Sequence, residues 1–308
     1  MQCDSRKVVI VGLGNVGVTA AFTLLVSDSV DEIVMLSRSV DKAYGHKLDL
    51  EHGMPFLNPV KITATDDYAT VAGADVVIIA AGVGQKPGQT RLDLVEANKK
   101  IFDEIIPQLK PYVENSTILI VSNPVDILTY YATKLFELPA GRVLGTGTML
   151  DTARFRFHLS EFMTVNSKSI HAYILGEHGD SSFPVLSSAN IGGQPLQQFP
   201  EYSEARAIEA FEQAKTAAYK IIESKGATFY AIAVVIKHAV QSILHDQRSV
   251  LPVTSVLSKD YYGEKDVAIS VPCVIGRNGV LSTLQVPLSE KEQKKFAQSA
   301  EIIRGFNY

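Results

Sequence analysis

The stretch KVVIVGLGNVGVTAAFTLL, residues 7–25, decides the fold. Its opening run, residues 7–11, is almost continuously apolar, as in a parallel strand covered by helices on both faces. Gly12, Gly14 and Gly17 follow at G-x-G-x-x-G spacing, and residues 16–26 carry a helical pattern. In a dinucleotide-binding turn each glycine has its own reason. Gly12 permits the tight turn, Gly14 lets the backbone approach a pyrophosphate, and Gly17 allows the helix to pack closely on the sheet. The start of the helix then offers free N–H groups to phosphates. The spacing alone also fits an ordinary glycine-rich turn or a site for another nucleotide. The strand before it, the helix after it and a second strand about 20 residues on favour the dinucleotide.

Outward from this turn, short apolar runs alternate with helical patterns. Strands are expected over residues 33–36, 60–63, 76–81 and 118–121, and helices over 40–52, 92–109 and 125–135. That alternation predicts an α/β fold, a Rossmann-type doubly wound parallel sheet, over residues 1–145. Beyond Gly145 the pattern changes. A helix starts at Met149, a strand covers 169–175, and a Gly/Pro-punctuated stretch runs over 176–200. Helical patterns then occupy 204–224 and 227–245, followed by three strand-like segments and a charged helix from Ser289. Residues 146–308 therefore read as a mixed α+β catalytic domain.

Bulk properties exclude several classes. Hydrophobic residues make up 46% of the 308 and charged residues 20%, ordinary for a globular protein with a large core. The net charge of −4 comes with no basic block, so no nucleic-acid partner is expected. The two cysteines, Cys3 and Cys273, have no metal-ligand spacing, which argues against a metal site or a disulfide framework and suits a cytoplasmic protein. No signal-peptide h-region and no apolar run of membrane-spanning length is present, so no membrane partner is expected either.

The second strand ends at Leu36 and is followed by Ser37 and Arg38. A dinucleotide fold usually carries an acid here, which binds the adenosine ribose and repels the 2′-phosphate of NADP. Ser37 removes that repulsion and Arg38 supplies a guanidinium suited to a phosphate, so the pair favours NADP, exclusively or beside NAD. The alternative is that Arg38 points to solvent and NAD binds without its acidic partner.

Four further segments concentrate polar residues. AAGVGQKPGQTRLDLVEAN (residues 80–98) leaves a strand end through glycines and holds Gln85 and Arg91; it is either a ligand-covering lid or a solvated surface loop. IVSNPVDILTY (120–130) places Asn123 at another strand end, where a helix-cap role is equally available. MLDTARFRFHLS (149–160) puts Asp151 and Arg154 on one helix face at i,i+3, a site pair or an exposed ion pair. Arg156 lies about 200° around that helix from Arg154 and serves another surface. ILGEHGDSSFPV (174–185) sets His178 between glycines; beside a carboxylate such a histidine is a general base poised near neutrality, and otherwise a loop residue.

Together GQKPGQTRLDLVEAN, SNPVDILTY, DTARFR and GEHGD, in this order, resemble the L-lactate/malate dehydrogenase family over nearly the whole chain. The resemblance implies roles. His178 matches the catalytic acid/base, Asp151 the carboxylate that orients it, and Arg154 the bidentate clamp on the substrate carboxylate. Arg91 matches the mobile-loop arginine that polarises the carbonyl, and Asn123 a hydrogen-bonding group shared by substrate and nicotinamide ribose. Val16, Lys42, Tyr68 and Gly82 fall at family cofactor contacts. Gln85 stands at the specificity position, where an arginine would pair the second carboxylate of oxaloacetate. A neutral Gln85 disfavours a dicarboxylate, and Thr228 matches the lactate-type lining, so pyruvate/L-lactate is the implied substrate. Arg156 and His171 resemble the fructose 1,6-bisphosphate site between subunits of bacterial members, against the plainer reading as interface residues. A homotetramer is likewise implied. The alternatives are a malate or broad 2-hydroxyacid dehydrogenase, or a non-catalytic dinucleotide-binding protein; retention of His178, Asp151, Arg91 and Arg154 argues against the last.

Overall fold

A computed structural model of the chain describes residues 6–84 and 91–306; of residues 91 and 92 the backbone alone is described. The first half follows β1 (Lys7–Val11), α1 (Asn15–Leu25), β2 (Glu32–Leu36), α2 (Val40–His52), β3 (Lys61–Thr65), β4 (Val76–Ile79), α3 (Arg91–Leu109), β5 (Thr117–Ile120), α4 (Val125–Phe136) and β6 (Val143–Gly145). These six strands pair in parallel in the order β3-β2-β1-β4-β5-β6. The order reverses direction at β1/β4, the switch point where such sheets bind ligands. The apolar strands serve two faces at once. Val8 and Ile10 enter one buried cluster, and Val9 and Val11 enter the other, against α3 and α4.

The second half contains α5 (Met149–Met163), β7 (Ile170–Leu175), β8 (Phe183–Ile191), β9 (Gln194–Pro195), α6 (Glu204–Lys225), α7 (Tyr230–Leu244), β10 (Ser249–Val256), β11 (Ala268–Gly276), β12 (Gly279–Thr283) and α8 (Glu290–Arg304). Strands β10, β11 and β12 extend the parallel sheet with antiparallel pairs, and β10 joins β6 through Thr254 opposite Gly145. Among the described residues one sheet of nine strands thus crosses from the first half into the second. A second sheet pairs β7, β8 and β9, with α5 and α6 packed beside it through Phe155, Leu159 and Phe211.

The stretch over 176–200 differs most from its reading. It contains the nine-residue strand β8, whose Pro184 pairs opposite Ile174. A proline and the polar run Ser187–Ser188 hide the alternation that would mark a strand. Among the described residues no helix is long and apolar enough to cross a membrane.

Candidate active site

The glycine turn closes as its sequence requires. Gly12 has φ +95°, its N–H donates to the Leu36 carbonyl at 3.0 Å, and a Cβ there would lie 2.5 Å from the Ala81 backbone. A Cβ on Gly17 would lie 2.0 Å from the Gly12 carbonyl oxygen, so Gly17 lets the helix close onto the turn itself as well as onto β1. At Gly14, by contrast, a Cβ would meet open space among the described residues, on the wall of a cleft of about 390 Å³. Helix α1 begins there with no side-chain cap and no acid in its first turn. Free N–H groups facing a cradle of that size suit a pyrophosphate. Ser37, Arg38, Lys42, Tyr68 and Gly82 line the same cleft. Val16 lies outside its lining, packed against the core.

The ribose end carries no carboxylate at position 37. The Ser37 hydroxyl accepts the Ser39 N–H at 3.2 Å, and Arg38 reaches Glu104 at 3.7 Å with its side chain 85% exposed. At the other end Asn98, fully buried, ties two strand ends together. Its Oδ1 accepts the Val83 N–H at 2.8 Å and its Nδ2 donates to the Asn123 carbonyl at 2.7 Å. A Cβ on Gly82 would approach this Asn98 Oδ1 to 3.1 Å.

A second cleft, about 490 Å³, opens where β5, α5, α6 and the β7–β8 loop meet. Asn123, Asp151, Arg154 and His178 all line it. His178 Nδ1 lies 2.6 Å from Asp151 Oδ2, which leaves Nε2 for a ligand. The imidazole is 28% accessible while Asp151 and Arg154 are 13% and 12%, so the ring reaches the cleft from a buried support. The Asp151 carboxylate beside it holds His178 above its ordinary range, against the opposing effect of burial. Burial by itself would raise Asp151; His178 and Arg154 outweigh it and hold that carboxyl low. Arg154 Nη1 sits 3.7 Å from Asp151 Oδ1, and its Nη2 is buried with no hydrogen-bond partner among the described residues. A buried guanidinium nitrogen without an acceptor is unfavourable unless a ligand supplies one.

The loop bearing His178 is pinned at three points. Gly176 and Ser270 exchange backbone hydrogen bonds at 3.2 and 3.0 Å, the Glu177 N–H donates to Ser299 Oγ at 2.7 Å, and the His178 N–H donates to Asp126 Oδ2 at 2.7 Å. Asp126 and Asn98 are the residues that sequence reasoning missed. Asp126 was signalled as a polar side chain in an otherwise apolar helical run, whereas Asn98, among Glu96, Lys99 and Lys100, carried no such signal.

Other expected positions divide. Asn123 Oδ1 accepts the Val125 N–H at 3.3 Å, so the residue turns the chain into α4 while also facing the cleft. Thr228 lies in the link between α6 and α7, outside the cleft's lining; Tyr219 and Ile222 of α6 line it instead. Arg156 points away from the cleft, as its helical angle requires. Its Nε donates to the Ala172 carbonyl at 2.8 Å, its guanidinium lies 5.2 Å from the Tyr173 ring, and burial lowers its proton affinity. His171 is exposed on β7. Gln85 and the side chain of Arg91 lie outside the described residues. Among the described residues no cluster of metal-binding side chains occurs.

A doubly wound sheet with a phosphate cradle, and a second cleft holding a carboxylate-backed imidazole, define a nicotinamide-dinucleotide oxidoreductase. Residues 6–145 match the family model of the lactate/malate dehydrogenase NAD-binding domain, and residues 148–305 that of its α/β C-terminal domain. The chain belongs to the lactate/malate dehydrogenase family. It is 46% identical over 302 residues to an L-lactate dehydrogenase of Thermoanaerobacterium saccharolyticum and 47% over 296 residues to one of a Synechococcus strain, each match covering 96% of both chains. Its fold is similar to the solved structure of a minor L-lactate dehydrogenase from Enterococcus mundtii, with a TM-score of 0.95, 38% identity and 98% of each chain covered. A lactate dehydrogenase from a deep-sea metagenome aligns with a TM-score of 0.94, 36% identity and the same coverage.

Proposed function

We propose that the protein is an L-lactate dehydrogenase that interconverts pyruvate and L-lactate, with a dinucleotide unit over 1–145 and a catalytic unit over 146–308. The observation that carries this is the buried Arg154 Nη2, without an acceptor among the described residues, beside an imidazole whose Nδ1 is held by Asp151. The cofactor, when bound, supplies or accepts a hydride at the substrate carbonyl carbon. Arg154 grips the substrate carboxylate. In reduction a C–H bond forms as the carbonyl π bond breaks, and His178 passes its proton to the resulting oxygen. Asp151 stabilises the imidazolium before that transfer and fixes its tautomer. Arg91 is assigned to the same oxygen, and Gln85, neutral, to the pocket wall that rejects a second carboxylate.

The cofactor reading includes NADP. What supports it is Ser37 in place of an acid and Arg38, whose exposed pairing with Glu104 is weak enough to yield to a 2′-phosphate. Fructose 1,6-bisphosphate is assigned to Arg156 and His171, and a homotetramer to the chain. Exposed Phe22, Tyr44, Tyr230 and Val234 favour association, since apolar surface of this kind gains by burial against another copy. The reducing cytoplasm suits the lone described thiol, Cys273, which is buried and unbridged.

One matrix of assays tests the reading: NADH and NADPH, each with pyruvate and with oxaloacetate, with and without fructose 1,6-bisphosphate. Pyruvate is expected to dominate, NADPH to turn over within about tenfold of NADH, and the bisphosphate to lower the pyruvate KM. Preference for oxaloacetate would overturn the substrate, and an NADH advantage beyond tenfold the NADP reading.

A further inference from the structure

A second carboxylate holds the backbone of His178. Asp126, in the first turn of α4, is 2% exposed. Its Oδ2 accepts the His178 backbone N–H at 2.7 Å and its Oδ1 accepts the Thr254 hydroxyl at 2.5 Å. Thr254 belongs to β10 and is fully buried, and its hydroxyl also lies 3.2 Å from Ser270 Oγ. Ser270 in turn is paired through its backbone with Gly176, two residues before His178. Asp126 therefore joins α4, β10 and the histidine loop.

These two hydrogen bonds do not themselves require a charge. A neutral Asn would accept the same N–H and could donate to Thr254, whose hydroxyl would then donate to Ser270. A carboxylate buried to this degree is unfavourable to fold unless its charge is compensated, although the start of a helix lessens that penalty. Its negative charge does, however, reach the imidazole. We propose that Asp126 is a positioning residue for the reaction, whose carboxylate fixes the backbone of His178 and supplies a second fixed negative charge near its ring. The inference rests on the acid/base reading of His178. Among the described residues, the charged and titratable groups around this imidazole are Asp151 and Arg154 from α5, Asp126 from α4, and Asp180, Lys215 and Tyr219, which line the same cleft, with Glu177 the preceding residue. Lys215 Nζ donates to the Asp180 carbonyl at 2.8 Å, and among the described residues Asp126 is the carboxylate that accepts the His178 backbone N–H. Asp126 adds to the effect of Asp151 in holding the imidazole's proton, as a nearby negative charge must.

The test is the pH profile of kcat/KM for pyruvate in Asp126→Asn. Reduction needs protonated His178, so kcat/KM is flat at low pH and falls above the midpoint. The variant is expected to move that midpoint down by about half a unit or more, and so to lose about threefold or more in kcat/KM well above it, with nicotinamide affinity unchanged. A uniform loss at every pH with an unmoved midpoint would overturn the proposal, because a purely structural support predicts that result. Should Asp126→Asn not fold, Thr254→Val gives an independent reading. It removes the hydroxyl that shields the carboxylate, so the midpoint should rise; an unmoved or lowered midpoint would overturn the proposal. If the wild-type chain reduces no pyruvate, the functional reading fails first, and the two failures are distinct.

Discussion

Replacing Asp151 by Asn removes the carboxylate charge in contact with the His178 imidazole while leaving its shape. Two charges about 4 Å apart at an effective dielectric constant near 20 attract by about 4 kcal/mol, which is about three pKa units on the partner. The contact between Asp151 Oδ2 and His178 Nδ1 is 2.6 Å, so this pair lies in that regime. Arg154, 3.7 Å from the same carboxylate, would then face the imidazolium without its own counter-charge and push further in the same direction. Asp126 remains and opposes, so a fall of about one to three units in the His178 midpoint is expected. Near pH 7.5 a fall of that size lowers the protonated fraction by up to about three orders of magnitude, and loss of the tautomer anchor adds to it. We expect kcat/KM for pyruvate to drop by about 10²–10³, partly recovering as the pH is lowered. The assay is nicotinamide absorbance between about pH 5 and 9, with a cofactor fluorescence titration to confirm that binding survives. A variant within about threefold of wild type at pH 7.5, or a loss with no recovery in acid, would refute the assignment of Asp151 as the charge that keeps His178 protonated.

Three other outcomes follow from single distances and charges. Arg154→Lys should raise the pyruvate KM by about 10- to 100-fold with a smaller loss in kcat, because one ammonium cannot grip both carboxylate oxygens; an unchanged KM would remove Arg154 from the clamp. Gly17→Ala should lower stability by about 2 kcal/mol or more and weaken dinucleotide binding, since the new Cβ would sit 2.0 Å from the Gly12 carbonyl. Gly14→Ala, with open space around its Cβ, should leave thermal unfolding of the free protein intact; equal melting temperatures for the two variants would contradict the packing argument. For pH, His178 is held above its ordinary 6.5, so its contribution to stability is complete below that value and is lost as pH rises through the raised folded one. Asp151 is held below its ordinary 3.8, so its contribution is present above that value and is lost as pH falls through the lowered one. The melting-temperature gap between wild type and His178→Gln should therefore be widest in mild acid and narrow toward alkaline pH, and a gap that widens instead would contradict the coupling.

The parallel half of the sheet could be read from the chain because its signals are local. Residues 8–11 are apolar without alternation, and Val8 and Val9 do enter opposite cores, as a strand covered on both faces requires. The pairing of Asp151 with Arg154 was visible at i,i+3, and their separation is set by one helix turn. The join between His178 and Asp151 was not a matter of spacing, since it spans 27 residues and depends on β7 returning beside α5. Family motifs supplied that join; periodicity could not. Strand β8 was lost because Pro184 and two serines break its pattern, and the cross-strand partners that stabilise it lie on β7.

Asp126 shows why the remainder of the site stayed hidden. Read along the chain, it is an acid in the first turn of a helix, which the helix dipole alone accounts for. Its second partner, Thr254, lies 128 residues away on the strand that pairs with β6 at Gly145. That pairing is where the antiparallel half of the sheet meets the parallel half. A Cβ on Gly145 would strike Thr129 Oγ1 at 2.4 Å and approach the Thr254 Cβ to 3.1 Å, so the seam closes only around a glycine. The support of the histidine loop is thus built on the junction between the two halves, through Thr254 and Ser270 on one side and Asp126 on the other. Changes at Gly145 should accordingly disturb the imidazole's proton affinity from a distance, by moving the carboxylate that holds its backbone, without any contact to substrate or cofactor.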